Sequence, residues 1–209
     1  ENLGDEPGEM GDNLSTVDLG QVGTITDIQC NYSCCVLNTE GQIKCWGYNS
    51  YGGLGLGDTG HRGDHPDEMG DNLPFVDVGT DLKVVNIQPG TSSTCAQFED
   101  GRIKCWGYSV GGLSGTGDVT GNNKNLGDQA DEMGDNLLPV DLGTDKTARD
   151  IFAGGHHSCA LLDDGSAKCW GYNFFDELGQ GDNNNRGDGV DEENNEAHEM
   201  GDTLRHIDL

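Results

Sequence analysis

An all-β chain of tandem four-stranded repeats is the architecture this sequence predicts, and three observations carry it. The pentapeptide KCWGY recurs at Lys44–Tyr48, Lys104–Tyr108 and Lys168–Tyr172, and repetition at a fixed period marks arrays built from one supersecondary unit. The tetrapeptide EMGD, followed two residues later by Leu, occurs four times, at Glu9–Leu14, Glu68–Leu73, Glu132–Leu137 and Glu199–Leu204 (with Thr203 in the last copy where the others have Asn). Each copy leads into a strand-like run ending at Leu19, Val78, Leu142 or Leu209. No segment carries a 3.6-residue apolar stripe, so almost no helix is expected.

The third repeat shows the elements most clearly. Strands are predicted at Pro139–Leu142, Ala148–Ala153, Ser158–Leu162 and Ala167–Asn173, each short, partly β-branched or aromatic and bounded by Gly or Asp. Four-stranded units of this size in tandem read as propeller blades. The predicted organisation is an acidic, Gly-rich loop over 1–14, repeats over 15–73, 74–137 and 138–204, and an unpaired extra strand of a next repeat over 205–209. That gives three complete copies plus one strand.

The cysteines sharpen the hairpins. Cys35 and Cys45, Cys95 and Cys105, and Cys159 and Cys169 each enclose nine residues, with an acidic residue and Gly at the centre: Glu40-Gly41, Asp100-Gly101 and Asp164-Gly165. A three-residue loop closed by a left-handed Gly leaves three residues on each strand, so the cysteines face one another directly. Opposed strand positions lie within disulfide range. Leu37 and Ile43 then share the disulfide's face, while Val36 and Trp46 lie on the other. Zinc sites pair cysteines two to four residues apart, so these pairs read as disulfides. Cys30 and Cys34 belong to the first repeat alone and form a local bridge or an interchain bond.

Composition narrows the function classes. Apolar residues make up 33% of the chain, too few for one large continuous core. Against 11 Lys and Arg stand 38 Asp and Glu, a formal charge of -27, which argues against a nucleic-acid partner. No apolar run is long enough for a membrane-spanning helix, and Glu1–Asp5 is polar where a signal peptide is apolar, so the chain reads as mature or trimmed. Eight cysteines fit an oxidising compartment. An extracellular or cell-surface location is the expectation.

The run from Cys159 to Asn173, C-A-L-x-D-D-G-x-x-K-C-W-G-Y-N, followed by Leu178–Asp182, resembles the repeats of the regulator of chromosome condensation family. The likeness extends to Leu54–Asp58 and Leu113–Asp118 in the earlier copies. It implies blades of a seven-bladed propeller, in a cysteine-stapled form that looks like the family's secreted members. Three repeats alone do not close such a ring. The family shares a scaffold, not a function, so no functional residues carry over. Trp46, Trp106 and Trp170 read as each repeat's own packing residue.

Candidate sites follow from the loops. More than half of the acidic residues lie in the loops between repeats. Asp64, Glu68 and Asp71, with Asp128, Glu132 and Asp135 in the next copy, are hard oxygen donors of the kind Ca²⁺ takes. Asn13 and Asn31 head glycosylation sequons. Arg62-Gly63-Asp64 and Arg186-Gly187-Asp188 spell an adhesion tripeptide, which position in the repeat explains better. His156 and His157 before Ser158 do not make a catalytic pair, because adjacent strand residues face opposite ways. The Gly53–Gly57 string opens no helix and makes no phosphate loop. The reading is a non-catalytic extracellular structural protein that joins copies of itself or further repeats end to end, as a filament. The alternative is a secreted module that binds a protein or glycan through its loops. No face rich in Tyr and Trp is expected, since the loops are acidic and Gly-rich.

Overall fold

A computed structural model describes residue 3 and residues 5–117, 125–189 and 199–207. It contains three three-stranded antiparallel sheets, one per repeat. The first is β1 (Ile25–Cys30), β2 (Ser33–Asn38) and β3 (Ile43–Gly47). The second is β4 (Val84–Pro89), β5 (Ser93–Phe98) and β6 (Ile103–Gly107). The third is β7 (Ala148–Ala153), β8 (His157–Leu162) and β9 (Ala167–Gly171). Among the described residues the helical content is four single 3₁₀ turns, which are the EMGD markers after Met10, Met69, Met133 and Met200.

The hairpins have the expected register. Cys35 opposes Cys45, Cys95 opposes Cys105 and Cys159 opposes Cys169, and each pair is a disulfide. Cys30 and Cys34 close a local bridge, so no cysteine is left free. Glycine is demanded at the turn for two reasons. Gly101 has φ +81°, a region side chains rarely adopt, and a Cβ there would lie 2.6 Å from Thr147 Cβ. That close approach lets Ala148 N–H donate to Gly101 O at 2.8 Å, tying one blade's turn to the next blade's first strand.

The fourth strand differs from expectation. Three of the four strand-like segments, those containing Val76, Val140 and Ile207, each join a sheet at one backbone bond. Val76 N–H donates to Ile43 O, Val140 N–H to Ile103 O and Ile207 N–H to Ala167 O, at 2.8–2.9 Å. Each segment thus extends the hairpin before it in sequence, whereas the predicted boundaries at 15, 74 and 138 group it with the hairpin after it. Ile207 is therefore not unpaired, and the expectation for 205–209 is corrected at that residue. Residues 208 and 209 lie outside the described residues.

The core lies between blades. Cys35, Leu37, Ile43 and Cys45 of the first blade pack against Ile87, Ala96, Phe98 and Trp106 of the second. Cys95, Ile103 and Cys105 pack in the same way against Ile151, Ala160, Leu162 and Trp170 of the third. Period-2 alternation puts the disulfide on one face and the Trp on the other, so each blade presents its disulfide face to the next blade's Trp face. Two stacked interfaces replace one large core, which is how a chain with 33% apolar residues folds.

Candidate functional site

The acidic loops serve as clasps between repeats. Lys104 is buried and donates from Nζ to Val78 O and Gly134 O, both at 2.9 Å. Lys168 donates to Leu142 O at 3.0 Å and Gly201 O at 2.7 Å, and Lys44 to Leu19 O at 2.8 Å and Gly70 O at 3.0 Å. Burial lowers the pKa of Lys104 and Lys168. The Asp of each marker reaches across: Asp71 accepts from Gln21 N–H at 2.7 Å, Asp135 from Thr80 N–H at 2.8 Å, and Asp202 from Thr144 N–H at 2.8 Å. Hydrogen bonds from Thr80 and Thr144 hold the Asp135 and Asp202 carboxyls below the usual carboxylate range.

The marker glutamates are committed to local amides as well. Glu68 accepts from Gly63 and His65 N–H, and the His65 bond is the largest cause of its lowered pKa. Glu132 accepts from Asp128 and Gln129 N–H. Among the described residues no three His, Cys, Asp or Glu side chains gather as a metal-holding group. Asp64, Glu68 and Asp71, like Asp128, Glu132 and Asp135, belong to no such group, and calcium at these loops stays an expectation. The sequence offered carboxylates in the right order; the amides that take them up were not legible.

Other sequence candidates are placed as follows. Asn13 and Asn31 are both exposed, Asn31 at the β1–β2 turn. Arg62 bridges Gly47, and Arg186 bridges Gly171, through backbone pairs that Leu126 makes with Gly107 in the second repeat, so the tripeptide is a repeat position. Ser158 is buried, while His156 is exposed. Gly53 O accepts from Thr94 Oγ1 at 2.8 Å and Trp106 Nε1 at 3.0 Å, so that glycine string makes blade contacts.

The structure also builds a surface that the sequence reading missed. After the glycine that ends each hairpin comes a tyrosine: Tyr48, Tyr108 and Tyr172. Its N–H donates to the carbonyl of the residue just before the hairpin's opposite strand, Tyr32, Ser92 and His156 respectively. Tyr32 and Tyr48 are thereby edge to face, with centroids 6.3 Å apart. Buried Asn49 pins the next loop by accepting from Leu54 N–H and donating to Asp58 O. That loop carries Tyr51 to 6.2 Å from Tyr48 and to 5.0 Å from Tyr108 of the second blade.

The run continues across the second junction. Tyr108 meets His156 of the third blade at 5.9 Å, and His156 meets Tyr172 at 6.4 Å. Asn173 pins the following loop as Asn49 does, and Phe174 and Phe175 extend the run from Tyr172. Tyr32 is 67% exposed and Phe175 76%, so both ends are open to solvent. A shallow recess of about 420 Å³ lies beside Tyr48, lined also by Trp46, His61 and Asp64. The tyrosine of KCWGY was the signal available in the sequence; its neighbours come from segments far apart in the chain.

The fold and surfaces define a stack of propeller-blade repeats. Residues 25–52 and 148–177 match the family model of the Regulator of chromosome condensation (RCC1) repeat, and the repeats of this chain are of that type. The chain is 30% identical over 162 residues to the Ultraviolet-B receptor UVR8 of Arabidopsis thaliana, covering 76% of this chain and 32% of that protein. It is 27% identical over 161 residues to the human E3 ubiquitin-protein ligase HERC2, covering 74% of this chain and 3% of the relative. Solved structures similar to it include human WBSCR16, at a TM-score of 0.58 and 20% identity over 78% of this chain and 36% of that one. Prp20p of Saccharomyces cerevisiae has the same score at 16% identity, over 88% of this chain and 38% of its own. The chain thus spans well under half of the length of each of these proteins.

Proposed function

We propose that this chain is a non-catalytic interaction scaffold of an oxidising, extracellular setting, and that its end faces join further blades of the same kind. The observation that carries the reading is a difference between equivalent residues. Ile28, Ile87 and Ile151 hold the same strand position in the three blades, yet Ile28 is 55% exposed while the other two are fully buried. Ile25 is likewise exposed where Val84 and Ala148 are buried, and Trp46 is half-buried where Trp106 and Trp170 are buried. At the other end the third blade's disulfide face leaves Cys159, Leu161 and Ala167 half-buried.

The two open faces are the two halves of an interface that the chain already makes twice internally. A second copy can therefore dock its third blade on this first blade, a heterologous head-to-tail contact. Native mass measurement of the 209-residue chain tests this. Concentration-dependent dimers and longer species are expected, and Ile28→Asp abolishes them while the hairpin disulfides stay intact. A folded monomer at high micromolar concentration, unaffected by Ile28→Asp, overturns end-to-end joining. A second reading, a module that binds a partner through one surface, is favoured by the continuous aromatic run.

A further inference from the structure

We infer that the aromatic run from Tyr32 to Phe175 is a docking track for an extended, lysine- or arginine-rich peptide segment. This rests on the second reading above, that the run is a binding surface. Three features select the occupant. Successive rings from Tyr32 to Tyr172 meet at interplanar angles of 62–74°. Rings set that way do not offer one flat platform to a sugar ring. In each such pair one ring sets its edge against its neighbour's face, and the ring faces left towards solvent are separate negative surfaces on which a compact cation sits.

The spacing agrees. Ring-to-ring steps along this stretch are 5.0–6.4 Å, and alternate side chains of an extended peptide project on one side about 6.6–6.8 Å apart. A peptide with a cation at every second position therefore keeps near register over several rings.

Charge complementarity makes the same choice. The chain carries a net charge of -27. The arginines of the loops beside the run are held in ion pairs, Arg62 with Asp58 at 2.5 Å and Arg186 with Asp182 at 2.7 Å. Asp64 lines the recess at the first blade. Near the far end, Glu177 accepts from Phe175 N–H at 2.8 Å, and Asp176 is exposed. A polyanion is repelled from such a rim, whereas a polycation is drawn to it before it meets the rings.

The test uses a blocked decapeptide of alternating Lys and Ser, with cellohexaose as a neutral sugar probe, by calorimetry at pH 8 and physiological salt. Tyr32→Ser with His156→Ser installs the residue that the second repeat already has at that place, Ser92, so the fold accommodates both. Tyr108→Leu removes the central ring. None of the three alters an acidic residue, so attraction by net charge persists. The parent is expected to bind the Lys peptide and not cellohexaose, with affinity falling about tenfold in the triple variant. Equal peptide binding by parent and variant overturns the track, leaving bulk charge as the cause. Binding of cellohexaose in place of the peptide, lost in the variant, overturns the cationic occupant and keeps the binding surface. Binding of neither probe overturns both. Ile28→Asp leaves peptide binding unchanged, which separates the track from end-to-end joining.

Discussion

Lys104 and Gly134 are thirty residues apart in sequence, and the ammonium of one lies 2.9 Å from the carbonyl oxygen of the other inside the protein. The same nitrogen also holds Val78 O, so one side chain fastens an inter-repeat loop to the strand-like segment before it. Replacing Lys104 with Met leaves two carbonyls without their charged donor. The expected cost is about 2–4 kcal/mol, since hydrogen bonds to charged groups contribute about 1.5–3 kcal/mol each and buried acceptors left unpaired are penalised. Urea titration checks this: the midpoint should fall with little change in slope. An unchanged midpoint would show that the clasp is redundant.

Reduction should proceed in a set order. Cys30 is exposed, whereas Cys95 and Cys105 are buried between blades. Thiol exchange needs access to sulfur, so mild reductant is expected to open Cys30–Cys34 first and the buried pairs Cys35–Cys45 and Cys95–Cys105 last. Timed alkylation followed by peptide mapping reads the order. The ten-residue spacing of the hairpin bridges corresponds to about 2–3 kcal/mol per staple in the chain-entropy account, so full reduction lowers the melting temperature of every blade.

Stability should depend on pH through Glu199. Burial first, and then the neighbouring Asp188 carboxylate, push its pKa up from 4.5 to about 7, although Gly187 N–H donates to it. The folded state therefore holds this proton more tightly than the unfolded chain does. The contribution is fully present below about pH 4.5 and is lost as pH rises through about 7. Glu199→Gln cannot ionise, so the difference in urea midpoint between variant and parent should widen from pH 4.5 to above 7. A constant difference across that window would mean the carboxyl is not so displaced.

Gly101→Ala should destabilise the second blade and its contact with the third. The position has φ +81°, and the added Cβ meets Thr147 at 2.6 Å. Left-handed backbone costs a side-chain-bearing residue about 1–2 kcal/mol before any clash. Gly165→Ala is the control: its φ is +86° but nothing lies within 4 Å, so only the backbone penalty applies. Equal melting shifts in the two variants would remove the role assigned to the Gly101–Thr147 approach.

The hairpins were legible because their constraints are local. Nine residues between cysteines and a glycine at the turn admit one register, and alternation then decides which face Leu37, Ile43 and Trp46 take. The strand-like segments were harder to assign, since one backbone bond, such as Val140 to Ile103, leaves no periodic trace. The amides of Gly63, His65 and Gln21 that the carboxylates of Glu68 and Asp71 take up have no side-chain signature, so the sequence offered these residues only as oxygen donors. The aromatic run escaped notice for a different reason. Tyr51, Tyr108 and His156 lie dozens of residues apart, and only the stacking of blades brings them into line.

That run grows with the array. Every blade supplies the tyrosine behind its hairpin, and every junction sets a ring from one blade against a ring of its neighbour. Only the tyrosine behind the hairpin recurs in all three repeats, since the second has Ser92 and Gly111 where the first has Tyr32 and Tyr51, so a duplicated repeat lengthens the surface according to the rings it carries at those two places. Under the proposed docking role, multivalent grip would scale with the number of rungs engaged, so the number of ring-bearing repeats would act as a ruler that gene duplication can lengthen.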